Sequence, residues 1–234
     1  MRIAILDFCT PDPVFDRLGS IGEITERWIA PALPEASFAP IHVAGGAPLP
    51  APGAFDGFIL SGSEKGVYDD TPWMAPLRRF LTEARAAARP LFGICFGHQI
   101  MADAFGGRAE KADKGFVIGA RRFEVEGRSL TAHVAHRDQV VAPPPGARVV
   151  GAAPYCPIAA LEYDFPARSI QFHPEYPAEL IADGIEAFEG GFLTPADAEA
   201  GRESMRDADV PTDLYAAEAA AFFRRTIGGA ASAA

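Results

Sequence analysis

Positive charge is scarce in this 234-residue chain: 21 Lys and Arg stand against 31 Asp and Glu, a formal charge of −10. No run of Lys or Arg breaks the acidic background, so nucleic acid and anionic membrane are not expected partners. Cysteine is scarcer still. Cys9, Cys95 and Cys156 are odd in number and widely spaced, which suits neither a disulfide framework nor paired metal ligands. The cytoplasm is the expected compartment. Long apolar runs are missing too, none approaching the roughly 20 residues that span a bilayer. The opening Met1-Arg2-Ile3-Ala4-Ile5-Leu6 meets Asp7, Pro11 and Pro13 too soon for a signal peptide. What is present is ordinary for a globular chain: hydrophobic residues make up 49% and charged ones 22%, enough to bury a sizeable core.

Strand and helix patterns alternate through the first half. Arg2 to Asp7 reads as a strand, Val14 to Ala32 as mostly helix from apolar residues at helical spacing, and Ala36 to Val43 as a second strand. Asp56 to Leu60 is a third strand running into Ser61-Gly62-Ser63, and Trp73 to Ala88 an amphipathic helix stopped by Pro90. This alternation predicts a parallel sheet covered on both faces. After Gly106-Gly107 the pattern changes. Phe116 to Glu126, Leu130 to His136, Ala147 to Ala152, Ile158 to Tyr163 and Arg168 to Phe172 are β-rich without intervening helices, so antiparallel additions should make the sheet mixed. Helices return at Ala178 to Glu189, Pro195 to Asp207 and Pro211 to Thr226, with Pro195 and Pro211 at helix starts and a frayed tail from Gly228 to Ala234. No repeat or long linker divides the chain. The simplest organisation is one domain over 1–192 with a helical C-terminal appendage, 193–234, packed on it.

Pro90-Leu91-Phe92-Gly93-Ile94-Cys95-Phe96-Gly97 is the stretch that carries chemistry. A lone cysteine closing an apolar strand is ordinarily a small packing residue. Flanking glycines turn that balance, because a tight strand-to-helix turn leaves no room for side chains there. The pattern is a nucleophile elbow carrying sulfur. The helix behind it offers unpaired N–H groups and a positive dipole end, both favouring the thiolate.

Reactive groups in open α/β sheets collect at the carboxyl ends of the strands. Besides Cys95, that rule selects Ser61-Gly62-Ser63 and His173-Pro174-Glu175. A His-x-Glu pair is usually a solvated surface pair, but at a strand end beside an elbow it supplies a base and the group that orients it. The remaining histidines fit less well. His98 lies inside the elbow helix, and His42 has no carboxylate near it in sequence. His133 and His136 fall on different faces of one strand, while His136-Arg137-Asp138-Gln139 reads as a polar loop. An acyl-transfer site also needs oxyanion donors, for which the backbone N–H groups of Phe96 and Gly62 are placed.

Together, Phe92-Gly93-Ile94-Cys95-Phe96-Gly97-His98-Gln99 and His173-Pro174-Glu175 resemble the triad of the class I glutamine amidotransferases. Ser61-Gly62-Ser63, Gly66-Val67-Tyr68-Asp69-Asp70 and His136-Arg137-Asp138-Gln139-Val140 agree in position and kind. The resemblance implies a flavodoxin-like three-layer sandwich with a central mixed, mostly parallel sheet. It also implies hydrolysis of the glutamine γ-amide through a γ-glutamyl thioester on Cys95, with no metal or other cofactor. Gln99 and the backbone near Arg137 and Asp138 would hold the α-amino and α-carboxylate ends of the substrate. Ala135 departs from the pattern, standing where relatives often place Ser or Asn. Nothing after Glu175 resembles a synthetase domain, so either a separate ammonia-accepting synthetase chain is implied or the enzyme works alone on γ-glutamyl compounds. The overall look is that of stand-alone, GMP-synthetase-like amidotransferases, with γ-glutamyl peptidases as neighbours. A regulatory subunit that keeps the fold without catalysis is the remaining alternative.

Overall fold

A computed structural model describes residues 1–11, 17–113 and 115–231. The parallel half of its main sheet contains β1 (Arg2–Asp7), β2 (Ser37–His42), β3 (Gly57–Leu60) and β4 (Leu91–Ile94). Alternate residues of these strands enter separate cores. Ile3, Ile5 and Ile59 face one way, Ala4, Leu6 and Leu60 the other, and all are fully buried. Burial on both faces explains why β1, β3 and β4 read as continuous apolar runs, whereas β2, at the sheet edge, is only partly buried.

On one face lie α2 (Met74–Ala86) and α3 (Phe96–Ala104), packing Leu77, Phe80, Leu81, Ile100 and Met101 against the sheet. The other face is covered by α1 (Ile21–Ile29) and, from the far end of the chain, α6 (Thr212–Ala231), which contributes Tyr215, Phe222 and Phe223. The start of α1 has a capping box, Ser20 and Glu23 each satisfying the other's backbone N–H. Asp7 adds a carboxylate there, accepting from the Gly22 N–H at 2.9 Å. The part of the expected first helix at 14–16 lies outside the described residues. The remainder starts at Ile21 and tightens into a 3₁₀ turn over Ala30–Ala32.

The second half contains β5 (Arg108–Lys111), β6 (Val117–Val125), β7 (Arg128–His136), β8 (Asp138–Ala142), β9 (Arg148–Ala153), β10 (Cys156–Glu162) and β11 (Ala167–Ile170). The nine-stranded sheet runs β2-β1-β3-β4-β11-β10-β9-β6-β7. Pairing is parallel from β2 to β11 and antiparallel from β11 onward. The mixed α/β sandwich expected from the sequence is therefore what forms. The short ribbon β5-β8 was not expected: Arg108-Ala109-Glu110-Lys111 has no apolar alternation and becomes a strand only by pairing with Asp138–Ala142. It also corrects the reading of His136 to Gln139 as a loop, since Arg137 alone separates β7 from β8.

Two further helices, α4 (Ala178–Phe188) and α5 (Pro195–Met205), cover the β6 end of the sheet. Thr194 caps α5 and Pro195 opens it, as its missing N–H allows. Ser204 on α5 accepts from the Ala120 N–H of β6 at 3.0 Å. The last helix, expected to end at Thr226, runs to Ala231, and 232–234 lie outside the described residues. No helix among the described residues is long and apolar enough to cross a membrane.

Candidate active site

The carboxyl ends of β1, β3, β4 and β11 lie side by side, so the segments following them converge. Cys95 stands between β4 and α3 with φ 52° and ψ −102°, a left-handed conformation that costs a non-glycine residue on the order of 1–3 kcal/mol. Packing enforces it. A Cβ on Gly97 would sit 2.5 Å from the Leu60 carbonyl oxygen, and one on Gly93 would sit 2.7 Å from the Gly97 backbone. Beneath the elbow, Phe8, Trp73 and Phe96 form a three-ring cluster with centroids 5.2 to 5.6 Å apart. Such pairs add about 0.5–1.5 kcal/mol each beyond burial. The Cys95 N–H donates to the Ile170 carbonyl at 2.8 Å, tying the elbow to β11.

His173 follows β11 and is 1% exposed. Its Nδ1 is 2.7 Å from Glu175 Oε1, and the Cys95 sulfur lies near enough to act on the charge of its ring. The His173 N–H donates to the His133 carbonyl, and the His133 ring donates in turn to the Tyr176 carbonyl, both at 2.8 Å. The Tyr176 ring lies flat against the imidazole, centroids 3.9 Å apart and 12° from parallel. Burial alone pushes the His173 imidazolium down. The Glu175 carboxylate and the Cys95 sulfur more than reverse this and hold its pKa up at about 10. The arrangement therefore favours the charged form of the His173 imidazole.

Gly62 completes the cluster from the β3 end; a Cβ there would lie 2.9 Å from His173 Cε1. The Ser61-Gly62-Ser63 turn is tied down. Ser61 accepts from the Phe8 N–H and Ser63 donates to the Phe8 carbonyl, while the Ser61 carbonyl accepts from Gly97. That last bond fixes the Ser61–Gly62 peptide plane and so the direction of the Gly62 N–H. Among the described residues, neither this N–H nor that of Phe96 is taken up by a protein acceptor.

Gln99, one turn into α3, donates to the Asp138 carbonyl at 2.8 Å and to Gln171 at 3.2 Å. Arg137 Nε lies 3.8 Å from Asp138 Oδ1. The Tyr68 phenol, on a side chain 55% exposed overall, is pushed up to about 12 by desolvation and by the nearby Asp138 carboxylate. Gln99 thus links the Asp138 backbone, through Gln171, to the Cys95 sulfur, and Arg137 lies beside the Asp138 carboxylate. Other histidines serve the frame. His98 bonds Ser169 and the Ile158 carbonyl, and burial lowers its pKa to about 4. His136 stacks on Tyr155, and burial with nearby His173 lowers it to about 3. Gln171 and Tyr176 were not singled out in the sequence. Only their adjacency to His173-Pro174-Glu175 hinted at them.

The family model described as Glutamine amidotransferase class-I matches residues 47–183, which hold the elbow and His173. The chain belongs to this family. Gamma-glutamyl peptidase 2 of Arabidopsis thaliana is 29% identical to this amidotransferase-family chain over 144 residues, 56% of this chain and 58% of the peptidase. GMP synthase [glutamine-hydrolyzing] of Thermus thermophilus is 40% identical over 126 residues, 50% of this chain but 24% of the synthase. The chain thus spans little more than half of the first relative and a quarter of the second. Among solved structures, a glutamine amido transferase from Methylobacillus Flagellatus superposes with a TM-score of 0.77 at 22% identity, covering 97% of this chain and 94% of that one. One from Thermotoga maritima gives 0.73 at 18% identity. At these identities the likeness is one of fold.

Proposed function

We propose that this class I amidotransferase-family chain hydrolyses the γ-amide of glutamine through a thioester on Cys95. Cys95 gives its proton to His173, and the thiolate forms an S–C bond to the amide carbon. The oxyanion lies against the N–H groups of Gly62 and Phe96. His173 returns the proton to the departing nitrogen as the C–N bond breaks and ammonia leaves. It then takes a proton from water, which cleaves the S–C bond and releases glutamate. Glu175 holds the ring and favours its charged form. Gln99, Arg137 and Asp138 form the end of the site that takes the α-amino and α-carboxylate groups. The single observation that carries this reading is the buried His173–Glu175 pair at 2.7 Å, near a strained cysteine at a strand–helix elbow.

The second reading, a γ-glutamyl peptidase, shares every step but the leaving group; the similarity to the Arabidopsis peptidase favours it. We take the helices over 193–234 as an appendage packed on the domain formed by 1–192. A separate synthetase chain is the acceptor of ammonia if glutamine is the substrate. Steady-state assays decide between the readings. Ammonia release from free glutamine is the expected result, whereas turnover of γ-glutamyl peptides without glutamine would select the peptidase. A folded chain inert toward both would be a non-catalytic subunit.

A further inference from the structure

The Gln171 side chain is fully buried one residue beyond β11, between the nucleophile and Gln99. Its Nε2 donates to Cys95 Sγ at 3.6 Å. Which end of a side-chain amide faces which partner is ordinarily an assignment, but here the network dictates it. The Asp138 carbonyl can only accept, so the end of Gln99 that meets it is the NH₂. The same NH₂ meets Gln171, which must present its oxygen there and turn its own NH₂ to the sulfur.

We propose that Gln171 is a catalytic residue of this site, an N–H donor clamped by Gln99 against the Cys95 sulfur that favours the thiolate and keeps it aimed. The inference rests on Cys95 being the nucleophile. The titratable groups facing Cys95 are His173 and Tyr176 beyond β11, Cys9 beyond β1, and Tyr155 and Cys156 at the β9–β10 turn. Burial pushes the last four upward, so they stay neutral near neutral pH. His173, with Glu175 behind it, is the charged neighbour and Gln171 the neutral donor. The Gln99 link also joins this donor to Asp138, so the substrate end and the nucleophile share one hydrogen-bonded line.

The test is alkylation of Cys95 by iodoacetamide, followed by mass spectrometry of the Cys95 peptide across a pH series. Gln171→Met keeps the length of the side chain and removes the donor. At about pH 6 it should alkylate about tenfold more slowly than the unsubstituted chain, the gap closing at about pH 9, where a thiol ionises without help. Gln171→Glu should be slower still. Equal rates at the lower pH, or a difference identical at both pH values, would overturn the proposal. Should the Met variant fail to fold, Gln99→Met releases the Gln171 amide to turn over; a few-fold slowing at the lower pH supports the proposal and equal rates overturn it. Alkylation needs no substrate, so a chain inert toward glutamine and γ-glutamyl peptides fails the proposed function while leaving this inference open to the same measurement.

Discussion

The two halves of the main sheet do different work. In the parallel half, the ends of β1, β3, β4 and β11 point the same way, so four successive segments deliver side chains to one place. Cys95, Gly62 and His173 come from three of those ends. In the antiparallel half, strand ends alternate in direction, and what reaches the site is a wall: His136 and Tyr155, with Arg137 and Asp138 where β7 passes into the β5-β8 ribbon. The proposed reacting groups thus sit on the part of the fold whose geometry is shared by all its strands, and the proposed recognition groups on the part assembled from edges and turns. Changes in the first region should act on kcat and changes in the second on KM.

The largest effect tests the first half. Cys95→Ala should abolish turnover by about a thousandfold or more, read as ammonia release or γ-glutamyl cleavage, because no other side chain replaces the thioester. Activity surviving it would move the nucleophile elsewhere. Glu175→Gln should cost about a hundredfold in kcat with little change in KM, since the base remains but loses its orientation and its counter-charge. That variant carries a pH signature too. His173 holds its proton more tightly in the folded protein, so the pair's contribution to stability is complete below the unfolded value of about 6.5 and is lost as pH rises through about 10. The stability margin of the unsubstituted chain over Glu175→Gln, measured by urea unfolding, should therefore shrink between those limits. A margin that grows instead would contradict the pairing. Smallest is Asp138→Asn, expected to raise KM about tenfold at nearly unchanged kcat by weakening the hold on a substrate ammonium. If it lowers kcat as much as Glu175→Gln does, the division between the halves fails.

How legible each part was in the sequence follows the same division. The inner parallel strands β1, β3 and β4 announce themselves because burial on both faces demands apolar runs, and the elbow because its glycines are packing necessities. Arg108–Lys111 is silent by comparison: its residues favour no strand, and only the partner Asp138–Ala142, supplied far along the chain, makes one. The His136–Gln139 segment looked like a loop because polar residues commonly mark turns, yet here they sit where two strands abut at Arg137. Gln171 was hidden for the opposite reason. Lying between Ile170 and Phe172 in a strand-like stretch, it reads as one polar position among core residues until the fold sets Cys95 beside it. The C-terminal helix outlasted its expected end because the run of Ala and Gly after Ile227 carries no apolar period to follow.

The backbone at Cys95 has a consequence for how this molecule would age under heat. A cysteine twisted against its own preference stays there only while its bond to Ile170 holds and Gly93 and Gly97, on either side of it, stay tightly packed. Any slackening lets the twist relax and carries the sulfur off its line, long before the strands part. Cys95 is in this sense a pressure gauge for the packing around it, and its reactivity should fade while the bulk of the sheet is still intact.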